Sequence, residues 1–180
     1  MLIKPFNKYG LTFRTVEEED ASFILELRTD KILSKFLSAT SPDIEQQKKW
    51  IKNYKQREDK NEEAYFISLD DNGGRQGLNR LYNYNKAGFE IGSWLYKRGQ
   101  EVSAAILGDL AARDYGFETL GFSTCMFKVR KANLSVIRYH LAFKPEKIKE
   151  SEIDYYFRLS YNNYKTQRDK LIKMLRNGAR

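Results

Sequence analysis

The chain has a single cysteine, Cys125, and a single histidine, His140, among its 180 residues. One cysteine closes no internal disulfide, which suits a reducing compartment and makes the cytoplasm the expected location. Cys125 lies in a strand-like run near Phe122 and Phe127 and reads as a buried structural thiol, not a nucleophile. No apolar run approaches the roughly 20 residues that a membrane helix requires, so no membrane partner is expected. The opening Met1-Leu2-Ile3-Lys4-Pro5-Phe6 is too short and too quickly polar for a secretory signal. No metal-ligand spacing occurs, and no metal is expected. Repeats, low-complexity tracts and dividing linkers are also missing, so one domain over residues 1–180 is expected.

What is present argues for a packed core. Hydrophobic residues make up 41% and aromatics 14%, which excludes disorder despite 31% charged residues. The formal charge of +8 has two readings: a lysine-rich solvated surface, or attraction for a polyanionic small ligand. The basic residues are scattered among acids and form no stripe, so no nucleic-acid partner is expected.

Taken in order, Leu11–Thr15 alternates as a strand, and acidic Glu17–Asp20 suits a helix start. Ala21–Thr29 places Phe23, Ile24 and Leu27 on one helical face. Ser38–Asp43 is a loop in which Ser41 or Asp43 caps a helix running from Ile44 to about Arg57, with Trp50, Ile51 and Tyr54 at helical spacing. Ala64–Leu69, the turn Asp70–Gly74 and Gly77–Tyr84 form a hairpin. Asn79, Arg80 and Tyr82 lie on its second strand, and the local pattern leaves the inward face open. A strand from Phe89 to Leu95 follows. Then come a basic loop from Tyr96, a small-residue helix from Ser103 to Leu120 and a strand from Phe122 to Val129. Phe143–Lys149 and Ile153–Ser160 read as a final hairpin, and Tyr161–Leu175 as an amphipathic helix. The strands number about seven. A strand that feeds a loop and then a helix presents free N–H groups at the helix start, where an anion such as phosphate is favoured.

Glu90-Ile91-Gly92-x-Trp94-Leu95, Gln100-x-x-Ser103-x-Ala105, Phe117-Glu118-x-Leu120-Gly121 and Val129-x-x-x-Asn133 together resemble the GNAT-type N-acetyltransferases. The nearest branch is the one that includes ribosomal-protein N-terminal and bacterial amino-sugar acetyltransferases. The resemblance implies an α/β (α+β) fold with a mixed, mostly antiparallel sheet flanked by helices. It implies transfer of an acetyl group from acetyl-CoA to a small-molecule primary amine, by a monomer or a homodimer. Backbone groups of Ser93, Trp94 and Leu95 would hold the pantetheine arm as an added strand, with Gly92 permitting a bulge. The pyrophosphate would sit on Gln100, Glu101, Val102, Ser103, Ala104 and Ala105, with Arg98 and Lys97 offsetting the charge of Glu101. Ser103 stands where glycine is usual, and Glu101 would repel a pyrophosphate unless turned away; both are departures. Asn133 would be a cofactor-side residue or a helix N-cap. The tyrosine that family members place seven positions after this asparagine is His140 here, with Tyr139 beside it. Either would protonate the departing thiolate, and the histidine also has a bland reading without a role. Glu90, the only carboxylate in its strand, would act as base through water. Arg28 and Trp50 would lie near the acceptor, or serve as a surface ion-pair partner and a packing residue. Within the class, the acceptor would be a nucleotide-linked amino sugar or a protein N-terminus; the charge disfavours a polyamine. A non-catalytic acyl-CoA-binding domain is the rival reading.

Overall fold

The computed structural model describes residues 3–99 and 102–178. Among these residues, eight strands form one mostly antiparallel sheet in the order β1-β2-β3-β4-β5-β6-β8-β7, flanked by five α-helices. The strands are β1 Phe6–Lys8, β2 Leu11–Thr15, β3 Ala64–Leu69, β4 Arg75–Asn85, β5 Gly88–Tyr96, β6 Thr124–Arg130, β7 Glu146–Glu150 and β8 Asp154–Ser160. The helices are α1 Ala21–Thr29, α2 Ile44–Asp59, α3 Val102–Asp114, α4 Leu134–Leu141 and α5 Tyr161–Gly178. The strand beyond the seven expected is β1. Tyr9 and Gly10, with φ of 55° and 79°, make a tight turn that folds Phe6 opposite Phe13. Their rings stack with centroids 5.1 Å apart.

The chain divides into two compact units. One holds the residues up to Tyr84 together with Gly92–Ala112; the other holds Asn85–Ile91 and everything from Arg113 onward. In the first, β2 alternates as its pattern predicts, with Leu11, Phe13 and Thr15 buried. Helix α1 buries Phe23, Ile24 and Leu27 against Ile51 and Tyr54 of α2 and Tyr65, Ile67 and Leu78 of the hairpin. Burial of each such side chain is worth about 1.5–3 kcal/mol. Asp43 caps α2, accepting from the N–H groups of Glu45 (2.9 Å) and Gln46 (3.1 Å).

Asp20, fully buried, ties this unit together. Its carboxylate accepts from both Arg14 terminal nitrogens (2.6 and 2.8 Å), from Arg75 Nε (2.9 Å) and from the Glu17 N–H (2.9 Å). Burial alone would raise its pKa, but these donors outweigh burial and hold it below the usual carboxylate range. A depressed folded value means stability that is complete above the unfolded value of about 3.9 and lost as pH falls through the folded one. Asp20→Asn is therefore expected to cost about 2 kcal/mol near neutral pH. The gap between wild-type and variant should shrink steadily below pH of about 4. Thermal melts between neutral and strongly acid pH measure this, and a gap unchanged across that range would refute it.

In the second unit, β5 and β6 pair in parallel at Phe89↔Cys125 and Glu90↔Met126. Strands β6 and β8 pair antiparallel from Thr124↔Ser160 to Arg130↔Asp154. The sequence predicts one helix from Ser103 to Leu120. Instead α3 ends at Asp114, and Tyr115–Thr119 widens into a π-helical turn closed by Leu120 N–H to Tyr115 O (2.9 Å). Gly116 lies in that turn because the Phe89 ring occupies the space of a side chain there. Phe122 N–H still bonds back to Gly116 O, so β6 starts two residues later than predicted. Phe143 likewise does not open a strand. Its N–H and that of Lys144 bond to His140 and Leu141 carbonyls, and Lys144 (φ 54°) turns the chain out of α4. The Phe143 ring goes into the core, stacked on Tyr164. Arg168 of α5 ion-pairs with Asp114 (2.6 Å) and with Glu118, and Tyr164 Oη donates to Asp114 (2.8 Å).

Candidate active site

In the first unit, a pocket of about 300 Å³ opens where α1, the loop after it, α2, β3, β4 and β5 meet; Arg28, Thr40, Trp50, Tyr65, Arg80 and Ser93 are among its walls. Arg28 and Trp50, ambiguous in the sequence, both line it. Arg28 Nε donates to Thr40 Oγ1 at 2.7 Å, which ties α1 to the loop that precedes α2. The open alternation of β4 resolves as well. Arg80 and Tyr82 share one face, the Arg80 guanidinium lying 4.8 Å from the Tyr82 ring centre and 5.0 Å from that of Trp50. Asn79 points the other way and accepts from the Tyr96 hydroxyl at 2.9 Å. Glu63 anchors Arg80 at 2.5 Å and Arg57 at 3.0 Å.

Tyr65, on a strand buried from Ala64 to Ser68, and the Ser93 side chain line the pocket without having been singled out in the sequence. Burial raises the Tyr65 phenol, while Arg28, Arg80 and a hydrogen bond from Ser93 pull it down; burial prevails. Ser93 takes a φ of 50°, left-handed for a residue with a Cβ. The irregularity expected at Gly92 thus falls one residue later. Gly92 is a packing glycine, since a Cβ there would sit 3.1 Å from the Tyr82 hydroxyl.

The indole of Trp94 donates to the Ala105 carbonyl at 2.8 Å, fastening β5 to the first turns of α3. Leu95 is core, 5% exposed. Ser103, Ala104 and Ala105 form the start of α3, in line with the predicted strand–loop–helix order. Gln100 and Glu101 lie outside the described residues, as does the Val102 side chain. Arg98 is largely exposed and 4.0 Å from Asp30, and the Lys97 ammonium lies over Phe23.

In the second unit, Glu90 is partly buried and opposite Met126. Asn133 caps α4, accepting from Val136 N–H at 3.5 Å and from Ser135 Oγ at 3.2 Å. Tyr139 and His140 part company. His140 is buried at 6% exposure, its ring 4.4 Å from that of Phe127. Its Nδ1 faces Arg113 Nη2 at 3.3 Å. Arg113 is itself fully buried, donates to Cys125 Sγ at 3.3 Å and lies over Phe127. Arginine carries only donors, so Nδ1 accepts and the ring proton sits on Nε2. Tyr139 is half-buried and meets Phe143 edge to face. Cys125 is fully buried under Arg113, a structural thiol. Among the described residues no cluster of metal-ligating side chains occurs, and no helix is long and apolar enough to cross a membrane.

The sheet is mixed, with β5 and β6 joined in parallel, Ser93 left-handed within β5, and α3 next after β5 in the chain. The model of the acetyltransferase (GNAT) domain matches residues 10–143, and the chain belongs to the GNAT acetyltransferase family. Among solved structures it is similar to apo FdhC, a nucleotide-linked sugar GNAT, with 33% identity and a TM-score of 0.84 over 95% of this chain and 98% of that one. It also shares the fold of a ribosomal-protein-S5-alanine acetyltransferase from Vibrio fischeri, at 15% identity and TM-score 0.75 over 90% and 99% of the two chains. The fold recurs in a Vibrio cholerae spermidine N-acetyltransferase in complex with CoA and spermine, at 17% identity and TM-score 0.72 over 86% and 98%. Among curated proteins none matches.

Proposed function

We propose that the chain, as one acetyltransferase domain over residues 1–180, moves the acetyl group of acetyl-CoA to the primary amine of a nucleotide-linked amino sugar. The observation that carries this reading is the 33% identity, spread over 95% of the chain, with a nucleotide-linked sugar GNAT. The amine nitrogen attacks the thioester carbonyl directly: the C–N bond forms, the C–S bond breaks, and no covalent enzyme intermediate arises. Backbone groups of Ser93–Leu95 hold the pantetheine arm, and Arg98, the Gln100–Ala105 segment and Asn133 hold the rest of the cofactor. The amine surrenders a proton to Glu90 through water. The departing thiolate takes one from Tyr139, the member of the His140–Tyr139 pair whose hydroxyl carries a transferable proton.

Release of CoA thiol, followed with nucleotide-linked amino sugars, polyamines and peptides with free N-termini, tests the proposal. The highest kcat/KM is expected for a nucleotide-linked amino sugar. Activity on peptides alone would replace this acceptor with a protein N-terminus. Calorimetric 1:1 binding of acetyl-CoA without turnover of any amine would leave a cofactor-binding domain in place of an enzyme.

A further inference from the structure

Four features of the pocket in the first unit bear on what it admits. Two guanidinium groups line it, those of Arg28 and Arg80, and among the described residues no carboxylate does. Tyr65 lines the same pocket, and both cations lower its phenol against the burial that raises it. The cations are held differently from each other. Arg80 is fixed by Glu63 through Nη2 and clamped between the Trp50 and Tyr82 rings. Arg28 is held through Nε alone, by Thr40, and its two terminal nitrogens have no protein partner among the described residues. Two guanidiniums that line one pocket and keep donors unused suit an oxyanion, because their planar fork matches phosphoryl or carboxylate oxygens. Trp50 and Tyr65 add aromatic walls, which suit a ring carried next to that anion.

We infer that Arg28 and Arg80 form an oxyanion-recognition subsite for the acceptor, so that an acceptor carrying a phosphoryl or carboxylate group beside its amine-bearing portion is selected over a neutral or polycationic one. The inference rests on the acetyltransferase reading above and specifies what its acceptor must carry. Glu63 sets the balance of the subsite. By neutralising Arg57 and one edge of Arg80, it leaves the net positive charge on the pocket side, centred on Arg28.

The test compares acceptors and variants on the full chain, with acetyl-CoA saturating. For wild-type protein, a nucleotide-linked amino sugar is expected to exceed the same amino sugar in free form by about tenfold or more in kcat/KM, since hydrogen bonds to charged groups carry differences of that size. Arg28→Gln should raise KM for the nucleotide-linked acceptor by about tenfold and leave KM for acetyl-CoA unchanged. It should also bring the preference over the free amino sugar close to unity. Arg28→Lys, which keeps the charge without the fork, should restore part of the preference. An amino acid offered as acceptor separates a carboxylate source from a phosphoryl source, according to which anionic acceptor Arg28→Gln affects. Equal kcat/KM for anionic, neutral and polycationic amines in the wild type overturns the subsite while the enzyme reading stands. No transfer to any amine overturns the enzyme reading itself. The wild-type comparison needs no substitution, so a poorly folded variant does not stall the test.

Discussion

Tyr139→Phe is expected to lower kcat by about 100-fold, the lower end of what a positioned general acid supplies. KM for acetyl-CoA should stay close to the wild-type value. Arg113 bears on which of Tyr139 and His140 gives the proton. A fully buried guanidinium is paired with Cys125 Sγ and His140 Nδ1 and covers the Phe127 ring. Since arginine donates through every nitrogen, a second ring proton at His140 Nδ1 would set donor against donor. His140 thus meets Arg113 through an acceptor nitrogen, while the adjacent Tyr139 phenol has a proton to give. His140→Gln should act mainly on stability, because it removes an acceptor that the buried Arg113 uses. The pH profile of kcat separates the two. Its alkaline limb should disappear in Tyr139→Phe and persist in His140→Gln. Tyr139→Phe with full activity, alongside an inactive but folded His140→Gln, would hand the proton to the histidine.

Gly108→Ala is expected to destabilise the protein by about 3 kcal/mol, at the upper end of the range for overpacking. That corresponds to a fall in Tm of about 6–12 °C. Two effects oppose each other here. Alanine in a helix interior gains about 1 kcal/mol over glycine, and at an open site that gain would win. Gly108 is not open: a Cβ there would overlap the hydroxyl end of Tyr96. The tyrosine cannot swing aside, because Gly77 lies against the other part of its ring and its hydroxyl donates to Asn79 and accepts from Ser68 at 3.1 Å. Burial pushes this phenol up, so it stays protonated and keeps its donor. Tyr96 ends β5 and Gly108 lies in α3, so the same contact sets how closely the helix that follows the basic loop approaches the strand that precedes it. Chemical denaturation of a double-mutant cycle with Tyr96→Leu is the check. With the shorter side chain, Gly108→Ala should become neutral or stabilising. An unchanged penalty would mean that the Tyr96 ring is not the obstacle.

Much of this architecture was legible from local signals. Alternation placed β2, and 3.6-residue periodicity placed α1. The α2 cap was narrowed to Ser41 or Asp43, of which Asp43 is the cap, and the turn residues Asp70–Gly74 placed the hairpin. Each of these is settled within a few residues of chain. The misses share a different origin. β1 is only three residues long and exists because Phe6 meets Phe13. The helix that should have run to Leu120 widens at Tyr115 where Phe89 needs the space over Gly116. Phe143, apolar and next to a strand-like run, belongs to the core below α4.

The candidate site divides the same way. The sequence by itself determined the family and the strand-then-helix order of β5 and α3, through motifs whose spacing lies along one chain, and the observed cap was one of its two readings of Asn133. Only the tertiary structure decided the rest. It turned Arg80 to the pocket, with Tyr82 beside it, and Asn79 away, and it brought Arg28 and Trp50 to the same pocket. It also set Arg113 against His140, 27 positions apart in the chain. A strand offers two faces that differ by one residue of register, and a side chain's partner is whatever packing brings to it from elsewhere. Local sequence is silent on both, and the chemistry of this pocket depends on them.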